Sequence, residues 1–167
     1  MKILYPLIVF SVLLCMGGCQ EKALFKSPIC DFSKDPEYIL KQEPNKLISD
    51  DKGEEFPENT IGAMYNIRDI TYEGTTSKSQ KYTIKYTFMN KKLYCVTILI
   101  PNIQKEEVNS FLLSSPDIIK GEKGEFYNTT KSVAIITGIE KDKNGVSILY
   151  CNNNDTFQFV LEKYTLE

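Results

Sequence analysis

The sequence predicts an α+β fold, in which an antiparallel β-sheet of about six strands carries one main helix and a short N-terminal helix. Apolar and polar residues alternate in several segments after residue 60, a pattern typical of strands with one buried face. Only residues 102–114 combine a capping residue with apolar residues spaced three to four positions apart, as in an amphipathic helix. Several strands interrupted by a single helix indicate an α+β arrangement rather than alternating β and α units.

Two segments predict the helices. Asp35 is a favourable N-cap and Pro36 suits the first helical position, so a short helix should run from Pro36 to about Gln42. The main helix should begin at Asn102, a second favourable N-cap, and extend to about residue 114. Its apolar face should pack on the sheet.

The strands follow from period-two alternation and from turn residues. The clearest strand covers residues 81–88, where Tyr82, Ile84, Tyr86 and Phe88 alternate with Lys and Thr. An Asn144-Gly145 pair predicts a type I′ hairpin. The acidic stretch 50–58 predicts a solvated loop. Further strands are predicted at residues 61–72, 93–100, 125–127, 132–140, 146–151 and 156–164.

The composition excludes several classes of function. The chain has 167 residues and no histidine, which excludes Ser-His-Asp and Cys-His catalysis and the common histidine-containing zinc sites. Arg68 is the only arginine, so bidentate recognition of phosphate is hard to build. Without residues 1–18 the chain loses only Lys2 among its charged side chains, which leaves 19 basic and 22 acidic residues and a net charge of −3. We therefore expect no nucleic-acid partner, no metal and no cofactor.

The first eighteen residues have the order of a signal peptide. Lys2 provides a basic start, and residues 3–16 are almost wholly apolar. A run of about 14 residues is shorter than the roughly 20 that a membrane-spanning helix needs. It matches the hydrophobic region of an exported protein instead, and Gly17 and Gly18 supply the small residues of a cleavage site.

The next residue completes a motif. Met16-Gly17-Gly18-Cys19 resembles the lipobox of bacterial prolipoproteins, which reads apolar, small, small, cysteine, with Met16 at a position where Leu is usual. The resemblance covers only these first 19 residues. It implies that Cys19 becomes the mature N-terminus and carries a diacylglycerol thioether, commonly with a third fatty acyl chain such as palmitate. Two or more acyl chains anchor a protein stably. The alternative is an ordinary secretory signal that leaves Cys19 as a free thiol.

The resemblance also implies a location in the cell envelope. In enteric-type Gram-negative lipoproteins, Asp after the lipidated Cys favours the inner membrane, but Gln20 stands at that position. We therefore expect the outer membrane, with the domain facing the periplasm, provided that the host is Gram-negative. The chain accordingly divides into a signal peptide (1–18), a lipidated Cys19 with a tether (19–30) and a single α+β domain (31–167).

Three more cysteines lie in the mature chain. Cys30 falls in an N-terminal segment, and Cys95 and Cys151 fall in predicted strands. Export implies an oxidising compartment, in which three cysteines allow one internal disulfide and one remaining thiol. Any pairing is open at this point. The alternative is that the strand cysteines are small buried apolar residues.

No residue pattern identifies an activity. We expect a non-enzymatic binding module in the cell envelope, such as an inhibitor, an immunity or exclusion factor, or a ligand binder. Its partner would be an unknown envelope protein or ligand. One alternative is a structural or assembly accessory of the outer membrane or cell wall. Another is a carboxylate-based hydrolase, which requires two Asp or Glu side chains about 5–9 Å apart in a deep pocket.

Overall fold

An antiparallel sheet forms the body of the protein. A computed structural model describes residues 23–53, 66–128 and 132–153. The α-helices and strands of these ranges are, in chain order, α1 (Pro36–Gln42), β1 (Lys46–Asp51), β2 (Ile67–Thr75), β3 (Lys81–Met89), β4 (Lys92–Pro101), α2 (Lys105–Leu113), β5 (Ile118–Lys120), β6 (Phe126–Asn128), β7 (Val133–Glu140) and β8 (Gly145–Asn152).

The eight strands belong to one sheet made of two meanders. Their order is β1-β2-β3-β4-β8-β7-β6-β5, and every neighbouring pair is antiparallel. The first meander, β1–β4, therefore meets the second, β5–β8, along the β4–β8 pair. Helix α2 lies in the connection between the two meanders. The predicted α+β class and the antiparallel sheet are confirmed.

The predicted count of about six strands is wrong, because the described ranges alone contain eight. The prediction missed β1 and β5, which form the two edges of the sheet. All six residues of β1 are exposed and β5 has only three residues, so neither shows alternating burial. Asp50 and Asp51, assigned above to a loop, belong to β1. Residues 54–65 and 154–167, which include parts of the predicted loop and strands, lie outside the described ranges.

The short helix was predicted correctly and the main helix was predicted too long. The Asp35 carboxylate accepts a hydrogen bond of 2.8 Å from the Tyr38 amide and caps α1, as expected. Helix α2 covers Lys105–Leu113 rather than 102–114. Asn102 has a φ of 50°, a left-handed conformation, so the helix begins after Gln104 instead. Neither described helix is long and apolar enough to span a membrane.

The hairpin between β7 and β8 also differs from its prediction. It is not a two-residue type I′ turn, because Lys141–Lys143 form a short 3-10 turn before Asn144. Asn144 adopts the left-handed conformation, with φ 44° and ψ 50°, and Gly145 already belongs to β8. A Cβ atom on Gly145 would lie 2.4 Å from the carbonyl oxygen of Ile100, so this position requires glycine.

One face of the sheet carries the core. The four alternating apolar residues of β3 are at most 2% exposed, as their spacing predicted. Both helices cover this face, through Ile39 of α1 and through Val108 and Leu112 of α2, all of which are buried. The opposite face is polar on the first meander and more apolar on the second. Lys85 pairs there with Asp69 across 3.4 Å, whereas Ala134 packs with Ile136 and Cys151.

The segment before α1, residues 23–35, runs along the core face, and we call it the strap. Three of its backbone hydrogen bonds mark its course. The Leu24 carbonyl accepts from Ser77 (3.0 Å), the Ile29 amide donates to the Tyr86 hydroxyl (3.2 Å), and the Lys34 carbonyl accepts from Leu93 (3.1 Å). The strap therefore crosses the sheet from the β2–β3 turn to the β3–β4 turn.

A tether was predicted at residues 19–30, of which residues 23–30 belong to the strap and residues 19–22 lie outside the described ranges. Leu24 and Phe25 are only 6% and 3% exposed and belong to the hydrophobic core. The Phe25 ring contacts the Phe111 ring at a centroid distance of 4.7 Å and the Tyr82 ring at 6.0 Å. The folded domain therefore includes this stretch, because burying two large apolar side chains outweighs the entropy of a free chain.

Replacing Phe25 by alanine tests whether the strap stabilises the domain. Phe25→Ala should lower the free energy of unfolding by about 3 kcal/mol, because it removes a buried ring and leaves a cavity. Denaturant unfolding followed by circular dichroism measures this change. Lys26→Ala, at an exposed neighbouring position, should stay within about 0.5 kcal/mol of the parent. Equal stabilities of the two variants would contradict a structural strap.

Candidate functional site

A large concave surface of the described ranges is an open groove at the end of the sheet that holds the β3–β4 turn. Its volume is about 950 Å³, within the range of binding sites for small molecules or peptide segments. The start of α1, the end of β1, the start of β2 and the β3–β4 turn each contribute to it. The lining residues are Asp35, Pro36, Glu37, Lys52, Asn66, Ile67, Arg68, Asn90, Lys91 and Lys92. We call it the distal groove.

Arg68, the only arginine of the chain, connects three elements of this groove. Its Nε and Nη2 atoms donate to the two carboxylate oxygens of Asp50, each across 2.7 Å. Its Nη1 atom donates to Glu37 across 2.9 Å. This arrangement binds β2 to β1 through a bidentate pair and to α1 through a second carboxylate. Arg68 therefore fixes the wall of the groove.

The electrostatics of the pair agree with this role. Hydrogen bonding from Arg68 lowers the pKa of Asp50 from its ordinary value of 3.8, against a smaller opposing effect of burial. The pKa of Arg68 is raised, chiefly by the hydrogen bonds that it donates to Asp50. The arginine side chain is 19% exposed, so water screens the interaction only in part. Asp50 therefore stays ionised in the folded protein down to unusually low pH.

The rim of the groove is basic although the protein as a whole is acidic. Four of its lining side chains are basic and two are acidic. Both acidic side chains have structural partners, because Asp35 caps α1 and Glu37 accepts from Arg68. Lys52 and Lys92 are exposed. The groove can therefore offer ammonium groups to a carboxylate-bearing partner.

A second concave site lies beneath the strap. It is a cavity of about 110 Å³ between the strap, the end of α2 and strands β7 and β8. Phe111, Ile135 and Tyr150 supply much of its lining, and Cys30 opens onto it. Ligand pockets typically measure about 300–1,000 Å³, so this cavity is small for a ligand. It is better described as imperfect packing beneath the strap.

The cysteines predicted as site residues fall into three places. Cys19 lies outside the described ranges. Cys30 lies in the strap and packs against the core cluster. Cys95 and Cys151 lie directly opposite each other on β4 and β8, on the other face of the sheet. All three described cysteines are present as thiols. The structure thus brings two of the three together, which their spacing in sequence gave no reason to expect.

The groove was missed by the sequence analysis. Its residues come from four separate segments, and no motif connects them. The absence of other arginines was a usable signal, because a single Arg beside many acidic residues favours a structural ion pair. Within residues 23–53, 66–128 and 132–153, no three His, Cys, Asp or Glu side chains are grouped so that they could hold a metal ion.

The Arg68–Asp50 pair predicts a pH dependence of stability. The pKa of Asp50 is lower in the folded state, so its contribution is full above about pH 4 and is lost as the pH falls through the folded value. Asp50→Asn should lower the free energy of unfolding at pH 7 by about 1–2 kcal/mol and weaken its decline below pH 4. Asp117→Asn, at an exposed position, serves as the control. Urea unfolding between pH 2 and 7 measures both, and parallel curves for Asp50→Asn and the parent would contradict the assignment.

Comparison with known proteins supplies no likeness from which a function could be transferred. The chain matches no protein-family model, no curated protein and no solved structure.

Proposed function

We propose that this protein is a lipid-anchored binding module of the cell envelope, which presents the distal groove to an acidic segment of an envelope protein. The observation that carries the proposal is the opposite placement of two features. The chain enters the fold at one end of the sheet, four residues after Cys19. The groove lies at the other end.

The short link holds the domain close to its anchor. Three residues separate Cys19 from Ala23, and the four steps between their Cα atoms span at most about 14 Å. Leu24 is already buried beside Ser77 of the β2–β3 turn. If lipid is attached to Cys19, this end of the sheet must therefore lie near the bilayer.

The same geometry directs the groove away from the membrane. Strand β3 runs from the β2–β3 turn to the β3–β4 turn over nine residues. At about 3.3 Å per residue, the groove lies roughly 30 Å from the anchored end. A groove in this position is accessible to proteins of the envelope rather than to lipid. Its basic rim favours a partner with exposed Asp and Glu side chains.

The carboxylates of the groove support binding rather than hydrolysis. A retaining or inverting hydrolase needs two carboxyl groups that face the substrate. In the groove, Asp35 and Glu37 are engaged by the Tyr38 amide and by Arg68, respectively. Their hydrogen bonds hold α1 and the sheet together, and removing them would loosen the wall of the groove.

Replacing Cys19 tests the anchor. Cys19→Ser should abolish incorporation of labelled fatty acid and move the protein from the membrane fraction to the soluble fraction, because the thioether cannot form. Cys30→Ser is the matched control and should keep both the label and the membrane location. Metabolic labelling and fractionation of cells measure these outcomes. A Cys19→Ser protein that remains in the membrane fraction would contradict lipid anchoring.

Charge reversal tests the groove. The full-length protein, tagged and solubilised in mild detergent, is cross-linked in envelope extract, and captured proteins are quantified by mass spectrometry. Lys52→Glu/Lys92→Glu should reduce capture of the specific partner at least about tenfold, because two attractive charges become repulsive. Lys141→Glu/Lys143→Glu changes the charge equally at the other end of the sheet and should capture the partner normally.

The outcomes of this comparison are distinct. A partner lost from both double variants to the same extent would show attraction to net charge, not to the groove. A partner retained by both would contradict the groove as its site. Both variants should unfold at the same denaturant concentration as the parent, because all four lysines are exposed.

A further inference from the structure

We infer that Cys95 and Cys151 form a disulfide that joins the two meanders of the sheet, and that Cys30 stays outside it. The pairing rests on the register of β4 and β8 alone. Only the oxidising compartment rests on the proposed export, so the Cys95–Cys151 pairing and the export can be contradicted independently of each other.

The register places the two cysteines opposite each other. Cys95 pairs with Cys151 at one end of the β4–β8 ladder, and Pro101 pairs with Gly145 at the other. The Asn102 amide donates to the Asn144 carbonyl across 2.7 Å, just beyond the Pro101 end. Hydrogen-bonded and non-hydrogen-bonded pairs alternate along an antiparallel ladder. Counting back from this bond, the Cys95–Cys151 pair is a non-hydrogen-bonded pair.

This type of pair brings the side chains closest together. Cα atoms of a non-hydrogen-bonded pair lie about 4.5 Å apart, within the range of roughly 4.4–6.8 Å seen across disulfides. The side chains of directly opposed residues leave the sheet on the same face. Pro101 agrees with this alternation, because it also falls at a non-hydrogen-bonded position, where the ladder needs no amide hydrogen and proline has none to donate. A change of side-chain rotamer is therefore enough to join the two sulfur atoms.

In the thiol form, each cysteine contacts a different neighbour. The Cys151 Sγ donates to the Ala134 carbonyl on β7 across 3.8 Å. The Cys95 thiol hydrogen-bonds Thr87 on β3. Cys95 nevertheless contributes to raising the pKa of Cys151. Both thiol hydrogen bonds are weak, so their loss costs little free energy when the disulfide forms.

Cys30 is excluded from this pairing by the sheet itself. It packs against the core cluster of the face that carries the helices. Cys151 packs with Ala134 and Ile136 on the opposite face. A disulfide from Cys30 to either strand cysteine would have to pass through the backbone of β4 or β8. Cys30 is therefore the thiol left over.

The oxidation is a thiol–disulfide exchange with an oxidised dithiol protein or with oxidised glutathione. One cysteine thiolate attacks the oxidant's disulfide, forming a mixed disulfide and releasing one oxidant thiol. The second thiolate attacks the protein sulfur of that mixed disulfide, forms the Sγ–Sγ bond and releases the second oxidant thiol. The protein loses two electrons and two protons, and the oxidant gains both.

Burial of the Cys95 and Cys151 thiols determines at which stage of folding the thiol–disulfide exchange is efficient. It raises the pKa of Cys151 to about 12, and it also raises the pKa of Cys95. Few thiolates are present at neutral pH once the sheet has formed, and the thiolate is the reacting species. We expect the bond to form while the chain folds. After folding, it should resist mild reductants.

The first experiment counts thiols in the exported protein. Membranes are denatured with a polyethylene glycol maleimide, and adducts are counted by gel shift. One adduct, on Cys30, is expected, and Cys30→Ser should give none. Three adducts would overturn the disulfide. Two adducts with Cys95 linked to Cys151 would support the disulfide and contradict lipid on Cys19, which separates the two proposals.

The second experiment does not depend on location. Purified protein is reduced, unfolded and refolded in a mixture of reduced and oxidised glutathione, and its peptides are mapped without reduction. A peptide pair joining Cys95 to Cys151 is expected, and a pair that includes Cys30 would overturn the assignment. Reductant should then lower the midpoint of thermal unfolding by roughly 5–15 °C in the parent. It should leave the midpoint of Cys95→Ala/Cys151→Ala unchanged, and an unchanged parent would also count against the bond.

Discussion

The pairing of β4 with β8 is the constraint on which the rest of the fold depends. Each meander forms by local hairpins, but only this ladder joins them within the sheet, from Cys95–Cys151 to Pro101–Gly145. Its core side chains include Ile98 and Ile148, which are fully buried. The contact is non-local in sequence, so chain entropy opposes it until the apolar face is covered. The strap and α2 supply that cover.

The strap belongs to the hydrophobic core and is not a spacer in front of it. A tether of twelve residues would have let the domain move tens of ångströms from a membrane. Burial of Leu24 and Phe25 removes most of that freedom, because the chain packs on the sheet from Leu24 onward. A force applied to the chain before Leu24 would therefore be borne by the hydrophobic core. The distal groove lies at the opposite end of the sheet from the entry of the strap.

The sequence predicted those elements whose own residues determine them. Strand β3 alternates because one of its faces is buried, and α1 carries its own cap at Asp35, so both were found. The edge strands β1 and β5 are held by their neighbours rather than by their own pattern, and they were missed. The groove and the opposition of Cys95 and Cys151 depend on register and topology. These arise from pairing between distant segments, which a single sequence does not encode locally.

The distribution of charge indicates which part of the domain the proposed partner would bind. The whole chain carries a net charge of only −2, so its overall charge does not attract an acidic protein. Arg68 is held by Asp50 and Glu37, which leaves Lys52 and Lys92 as exposed basic groups of the groove rim. Lysine is a mobile point charge, suited to attraction rather than to fixed geometry. Attraction by these two lysines would bring an acidic segment to the distal groove, at the end of the sheet opposite the one where Leu24 packs beside Ser77.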